Sequence, residues 1–285
     1  MAMVVHKQTS QKQEEGNAMN GKHILKTIVL LAILHMAACG AESEPQQAVQ
    51  QNTQSTDTET EETPSVETLE TAVYSADLED EQVGAGPVSF IPVVGFWTVG
   101  IDDSNTVLFL DGSRWEQGQT SANIAEQARE LYGDRYSEFL DNVQAYAYYP
   151  FAIAAEVDNF TDGEITLRFK NIAGRIDQNA GILFDLKPNG DYYTLRGSSL
   201  ENNLVLWRVV HGNRSSVEWI RNTPTSSNQW HDLKLTVSGR EIRGYLDGQL
   251  YLEYTLEEPV EGRVGVWSKA DSQVYFDDFT VTPEQ

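Results

Sequence analysis

One cysteine, Cys39, serves the whole 285-residue chain, so no disulfide can form within it. Positive charge is scarce: 20 Lys plus Arg stand against 43 Asp plus Glu, and the formal charge of −23 argues against nucleic acid as a partner. No apolar run reaches the roughly twenty residues that a membrane-spanning helix needs. No cluster of His and Cys offers zinc its ligands, and no Gly-rich loop opens a helix to cradle phosphate. These absences remove disulfide-stapled, nucleic-acid-binding, zinc-dependent and nucleotide-binding classes.

What is present begins with an export signal. Lys22 and Lys26 form a basic start, and Thr27 to Met36 is an apolar run of roughly ten residues, the length of a signal core. It ends in Met36-Ala-Ala-Cys39-Gly40, small residues before the lone cysteine, which looks like a bacterial lipoprotein cleavage box. Residues 1–38 are therefore expected to be a signal peptide, with Cys39 lipidated and holding the chain to a membrane. Met19 gives a signal of ordinary length, so residues 1–18 read as an upstream mis-start. Gly40 carries no acidic retention signal, which in a Gram-negative cell favours the outer membrane.

From Ala41 to about Gly84 the chain is rich in Gln, Thr, Ser, Glu and Asp and holds no Lys or Arg. Such a segment buries too little apolar surface to offset its chain entropy, so residues 39–84 are expected to be a disordered acidic tether. Residues 85–285 remain, with 29 acids against 16 Lys plus Arg, enough chain for one sizeable core.

Downstream of Pro150 short strand patterns alternate with turns. Phe151–Val157, Glu164–Lys170, Gly181–Leu186, Tyr192–Arg196, Leu204–His211, Val217–Arg221, His231–Val237, Glu241–Leu246 and Gln249–Tyr254 precede a closing pair within Gly262–Val281. Asp162-Gly163, Asn189-Gly190 and Asp247-Gly248 mark tight turns. In Ile165-Thr-Leu-Arg-Phe169 and Leu233-Lys-Leu-Thr-Val237 apolar and polar residues alternate, which buries one face of each strand. This many short strands need two packed sheets. Asn123–Val143 instead repeats at helical spacing, with Gly133 dividing it, and is expected to lie over one edge of the sandwich. The tyrosines of Ala145–Pro150 read as packing residues.

Several phrases now stand in a recognisable order: Gly163-Glu-Ile-Thr-Leu-Arg-Phe-Lys, Gly174-Arg-Ile-Asp177 leading to Gly181-Ile, Tyr192-Tyr-Thr-Leu-Arg196, Leu200-Glu-Asn-Asn-Leu-Val-Leu206, Trp230-His-Asp-Leu, and Gly-Val-Trp-Ser-Lys-Ala-Asp with Phe-Asp-Asp-Phe. Together, over about Phe96 to Val281, they resemble bacterial concanavalin A-like (LamG-like) jelly-roll domains of the 3-keto-disaccharide hydrolase type. The resemblance implies an all-β, two-sheet antiparallel jelly roll with a ligand groove on a concave face and an association with carbohydrate. Fold alone does not establish activity.

The chemistry has to be weighed on residues. Jelly-roll glucanases resemble one another in alternating Glu, Asp and Glu along one strand; Glu156-Val-Asp158 supplies two carboxylates and Phe160 stands where the third belongs, so these two read as strand-end or turn residues. Elimination from a 3-keto sugar needs a base, one or two cations and a leaving-group acid. Glu201 as base, Arg196 and Lys269 as cations, and Asp271 orienting Lys269 or acting as the acid fit that list, with His211 as an alternative base. The plainer readings stand beside these: Arg196 and Glu201 are equally suited to clamp their hairpin, and His211 beside Gly212 suits a turn. Trp207 and Trp219, each beside a charged neighbour, are groove candidates, with Arg208 and Asn203 as further ligand-binding residues; Trp230 and Trp267 read as core. Asp277 resembles a structural-calcium ligand of jelly-roll relatives, with Asp102 and Asp103 in support, but one carboxylate makes no site. Three functions remain open: a glycan-binding module, a 3-keto-glycoside hydrolase, and an envelope structural or adhesion protein.

Overall fold

The computed structural model describes residues 74–116, 124–143 and 148–284. The expected signal segment, Cys39 and the tether up to residue 73 lie outside these, as does Tyr146 of the tyrosine-rich run.

Period-two alternation builds two antiparallel sheets. In the eight-stranded sheet the order is β13 (Gln249–Thr255), β12 (Glu241–Leu246), β11 (His231–Ser238), β6 (Gly163–Ala173), β15 (Gln273–Pro283), β4 (Asn105–Asp111) and β3 (Trp97–Asp102), with β1 (Tyr74–Ala76) pairing the far half of β15. In the seven-stranded sheet it is β10 (Asn213–Arg221), β9 (Asn203–Val210), β8 (Tyr192–Ser198), β7 (Asn179–Leu186), β14 (Arg263–Trp267), β5 (Phe151–Ala154) and β2 (Phe90–Val94). Ile165, Leu167 and Phe169 of one sheet meet Ile182, Phe184 and Leu206 of the other between the layers. This is the expected all-β jelly-roll sandwich, and every strand read downstream of Pro150 is present within a few residues of its expected ends.

Turn chemistry sets the register. Asp247 and Gly248 both have positive φ, 50° and 78°, the conformation that a two-residue hairpin requires and that Gly adopts without strain. His211 and Gly212 repeat it at 47° and 78° between β9 and β10, so His211 is a turn residue, its N–H bonded to Asp191 at 2.8 Å.

Two expectations need correction. Residues 74–84 belong to the folded unit and not to the tether: Tyr74, Ser75 and Ala76 pair with Val281, Thr280 and Phe279, and Leu78 is buried. The local composition is polar, but a few apolar side chains and a free flank of β15 suffice to order it. The helical insertion, α1 (Ile124–Tyr132) and α2 (Tyr136–Val143) with a 3₁₀ turn at Gly133–Arg135 between them, reaches beyond the sheet edge. Ala128, Leu131 and Phe139 pack on Val93, Phe151, Leu183 and Trp267, forming a second apolar core on the outer face of the seven-stranded sheet. Trp267 is fully buried there, under the helices, and not between the sheets. Among the described residues no helix is long and apolar enough to cross a membrane.

Candidate functional site

The helices cover only one end of that outer face. Beyond them β7, β8, β9 and β10 present Asn179, Thr194, Arg196, Asn203, Trp207 and Trp219 in register, since Thr194 faces Trp207 and Ser198 faces Asn203 across the β8–β9 ladder. Period two decides which residues share this face: Leu195, Leu204 and Leu206 point into the sandwich and their neighbours point out.

Arg196 is 2% exposed and donates to Asn203 Oδ1 and, at 3.0 Å, to Glu201 Oε2; the Asn203 amide also donates to Glu201 at 3.0 Å. Burial pushes the Arg196 guanidinium below its ordinary value, opposed by the Glu201 charge. Burial pushes the Glu201 carboxyl up, but the Asn203 amide, the Arg196 guanidinium and the nearby Lys269 charge outweigh it and hold the group below the usual carboxylate range. Lys269 reaches the same end of the face from the β14–β15 turn. Its ammonium lies 3.0 and 2.9 Å from the two oxygens of Asp177, which also accepts from Asn179 at 2.8 Å.

The turn that carries Lys269 is fixed by its surroundings. Ser268 N–H bonds to Pro150 O and Ala270 N–H to Tyr148 O, while Ser268 Oγ donates to Asn179 O. Asp271 is 3% exposed and accepts the backbone N–H groups of Arg175, Ile176 and Asp177 at 2.7 to 2.9 Å. Burial pushes its carboxyl up, and those three donors more than offset this, leaving it below the ordinary value. Asp271 therefore holds the loop that positions Asp177; it neither orients Lys269 nor offers a proton, which corrects its expected catalytic role.

Trp207 and Trp219 stand edge to face, ring centroids 5.4 Å apart. Arg214 lies over the Trp207 ring at 3.9 Å and over Tyr149 at 5.1 Å, and Tyr149 in turn stacks on Trp267 at 5.7 Å, the packing role expected for it. Several buried polar atoms on this face have no hydrogen-bond partner among the described residues: Arg196 Nε, Trp207 Nε1, Arg214 Nη1, Trp219 Nε1, Thr194 Oγ1 and Asn179 Oδ1. Ile176 and Leu200, 40% and 47% exposed, sit in adjoining loops joined by the Ser199 N–H to Gln178 O bond.

Sequence reasoning thus brings together Arg196, Glu201, Asn203, Lys269, Trp207 and Trp219, and the structure adds Asp177, Asn179, Arg214 and Thr194. Arg208 leaves the set. It alternates with Trp207 and points the other way, where it pairs with Glu257 at 2.7 Å. Trp230 is not core: its Nε1 donates to Asp102 at 3.0 Å and Arg168 lies over its ring at 4.9 Å, on the outer face of the eight-stranded sheet. Glu156 and Asp158 follow β5 in a turn, where Asp158 pairs with Arg263 at 2.8 Å.

At Asp277 both carboxylate oxygens already have hydrogen-bond donors. One oxygen accepts from Asn105 at 2.7 Å and the other from the Asp278 N–H at 2.8 Å, while Asp102 is engaged by Lys170 and Trp230. Among the described residues no three His, Cys, Asp or Glu side chains converge as metal ligands.

Residues 175–278 match the Laminin G domain family. The laminin G-like region runs from the loop held by Asp271 into the last strand, and so contains every residue of the face except Tyr149 of the flanking segment. This agrees with the LamG-like resemblance of the sequence. No curated protein sequence matches the chain. Among solved structures, the carbohydrate-binding module CBM66 from Bacillus subtilis is similar with TM-score 0.49 and 12% identity, over 70% of this chain and all of that one. A Bacillus subtilis protein of unknown function with a galectin-like fold gives 0.42 and 14%, over 71% and 97%. The Caenorhabditis elegans galectin LEC-6 gives 0.35 and 15%, over 47% and 96%.

Proposed function

We propose that the chain binds a glycan on the outer face of its seven-stranded sheet, with Trp207 and Trp219 as the apolar surface and Arg196, Asn203 and Arg214 as the polar one. The observation that carries this reading is the row of N–H donors without partners beside two indoles. A buried donor left unpaired costs about 1–3 kcal/mol, and a sugar offers both the missing acceptors and an apolar ring face for stacking. Glycan-array binding by the full chain, weakened in Trp207→Ala, is the expected result. Silence across the array would remove the carbohydrate reading and leave an envelope structural or adhesion protein.

The second reading is hydrolysis of a 3-keto glycoside. A base would take the C2 proton beside the ketone, the enolate would expel the glycosidic oxygen with a proton from an acid, and water would then add at C1. Glu201 with Arg196 and Lys269 nearby favours it. Against it, Glu201 already accepts from Arg196 and Asn203 and is held below the usual carboxylate range, which makes a weak base, and Lys269 is neutralised by Asp177. Cleavage of a 3-keto disaccharide that disappears in Glu201→Gln and Lys269→Ala would replace binding with catalysis.

We further propose that Cys39 carries lipid and holds the protein at the cell envelope, in the outer membrane of a Gram-negative cell. The support is the run of small residues before the lone cysteine. Cys39→Ser should move the protein to the soluble fraction; unchanged membrane fractionation would refute the anchor.

A further inference from the structure

The glycan reading leaves the class of sugar open, and the polar atoms of the face narrow it. Four N–H groups are buried without a partner among the described residues, on Arg196, Trp207, Arg214 and Trp219. Asn179 Oδ1 is the unpartnered pure acceptor beside them, and the unpartnered Thr194 hydroxyl can serve either way, while the similarly placed Asp177 Oδ2 is held by Lys269 at 2.9 Å. A neutral sugar presents hydroxyls that donate as readily as they accept, so it suits an even mixture of protein groups. A carboxylate only accepts, with two oxygens and about four lone-pair directions. The excess of donors fits the second kind of ligand.

Charge pairing gives the same answer independently. Arg196 is paired with Glu201 and Lys269 with Asp177. Arg214 has no acid within ion-pair distance among the described residues, although the chain as a whole carries 43 acids. Among the described residues its guanidinium is held by the Trp207 and Tyr149 rings, at 3.9 and 5.1 Å, and it occupies the indole face on which a sugar ring would stack. A guanidinium with a buried, unanswered N–H gains most from a carboxylate, which it meets with two parallel hydrogen bonds. With no acid among the described residues to anchor the long side chain, an incoming sugar can displace it from Trp207 and draw it onto its own anionic group. The net charge of −23 repels anions at a distance, so selection here works by contact and not by long-range steering.

We propose that this face selects a carboxylate-bearing sugar, with Arg214 receiving the carboxylate and Trp207 the ring. The proposal rests on the glycan reading above and goes one step beyond it. The test titrates the full chain, followed by tryptophan fluorescence, with two matched pairs: a defined oligogalacturonate against the same oligosaccharide with its carboxyls reduced, and a sialylated oligosaccharide against its desialylated form. At least one acidic member should bind ten times or more tighter than its neutral counterpart, and Arg214→Gln should erase that difference. The responding pair identifies the source of the carboxylate. Unfolding temperatures of Arg214→Gln and the parent within a few degrees exclude misfolding; if they differ more, Arg214→Lys, which keeps the charge and loses the fork, should retain part of the preference. Equal binding of acidic and neutral members would overturn this proposal and leave glycan binding standing. Preference for a sulfated oligosaccharide over both acidic probes would overturn the choice of carboxylate. No binding by any oligosaccharide, acidic or neutral, would remove both readings.

Discussion

Lys269 pairs with Asp177, its ammonium 2.9 Å from Oδ2, and not with Asp271 two positions along the chain. The reason lies in what Asp271 already holds. Its carboxylate accepts three consecutive backbone N–H groups, of Arg175, Ile176 and Asp177, and so fixes the loop from which Asp177 reaches Lys269. A side chain turned toward the backbone on one side of the turn thereby sets a charge pair on the other.

Asp271→Ala should therefore act first on stability. Leaving one buried donor, of Asp177, and two part-buried ones, of Arg175 and Ile176, without their acceptor, at about 1 kcal/mol each, predicts a loss of about 3 kcal/mol. For a folded unit of this size that is a fall in Tm of roughly 6–12 °C. A thermal melt of the variant beside the parent measures it, and a change under about 2 °C would contradict the loop-holding role.

The same contacts fix a pH dependence. The folded Asp271 carboxyl lies below its ordinary value while the unfolded one titrates near about 3.9. Its contribution is thus whole above about pH 4 and is lost as pH falls through the lower folded value, because there the unfolded chain binds the extra proton first. The Tm gap between the parent and Asp271→Ala should stay constant from about pH 7 to 5 and narrow below about pH 4. A gap that widens on acidification would mean that the carboxyl is protonated in the folded protein.

Strand positions were legible because alternation and Gly-containing turns are local. The face of each side chain was legible only in part. Arg208 next to Trp207 points away from it, as period two alone requires. Arg214 is different. It and Trp219 are an odd number of positions apart and would face opposite sides of a regular strand. A register shift between Ser216 and Glu218 brings Arg214 opposite Val209 and Trp219 opposite Val205, on one face. A bulge of this kind leaves no mark that composition or spacing reveals. Asp177 was hidden for another reason, since its link to Lys269 joins residues 92 positions apart. The place of Trp230 was hidden likewise, because apolar neighbours at a strand start say nothing about a distant acid such as Asp102.

The two faces of β9 give a direct comparison. Trp207→Ala removes an aromatic surface beside Arg214 and Trp219 and should weaken glycan binding about tenfold to a hundredfold, the range for loss of a central aromatic contact. Arg208→Ala, one position along and on the other face, breaks an exposed pair with Glu257 that is 72% exposed, and should leave binding unchanged. Titration of both variants against the same glycan checks this. Equal loss in the two would mean that the ligand does not sit on the outer face.

Asp277 responds to pH in the opposite sense from Asp271. Burial pushes its carboxyl above the ordinary value, against the bonds from Asn105 and Asp278 and the charge of Arg168. An acid whose folded value is raised stabilises the fold below its unfolded value near about 3.9, and loses that contribution as pH rises through the folded one. At neutral pH the buried charge is therefore a cost, and Asp277→Asn should remove it. Asn keeps an acceptor for the Asp278 N–H, and a flip of the Asn105 amide supplies the second contact. The variant should melt at the parent's temperature or above it at about pH 7, and fall behind as the pH drops toward about 4, where the parent's carboxyl takes up its proton. Were Asp277 a calcium ligand, the result would reverse: calcium would raise the parent's Tm, chelation would lower it, and the Asn variant would respond to neither. Melting both proteins with added calcium and with chelator decides between the hydrogen-bonded carboxyl and a metal site.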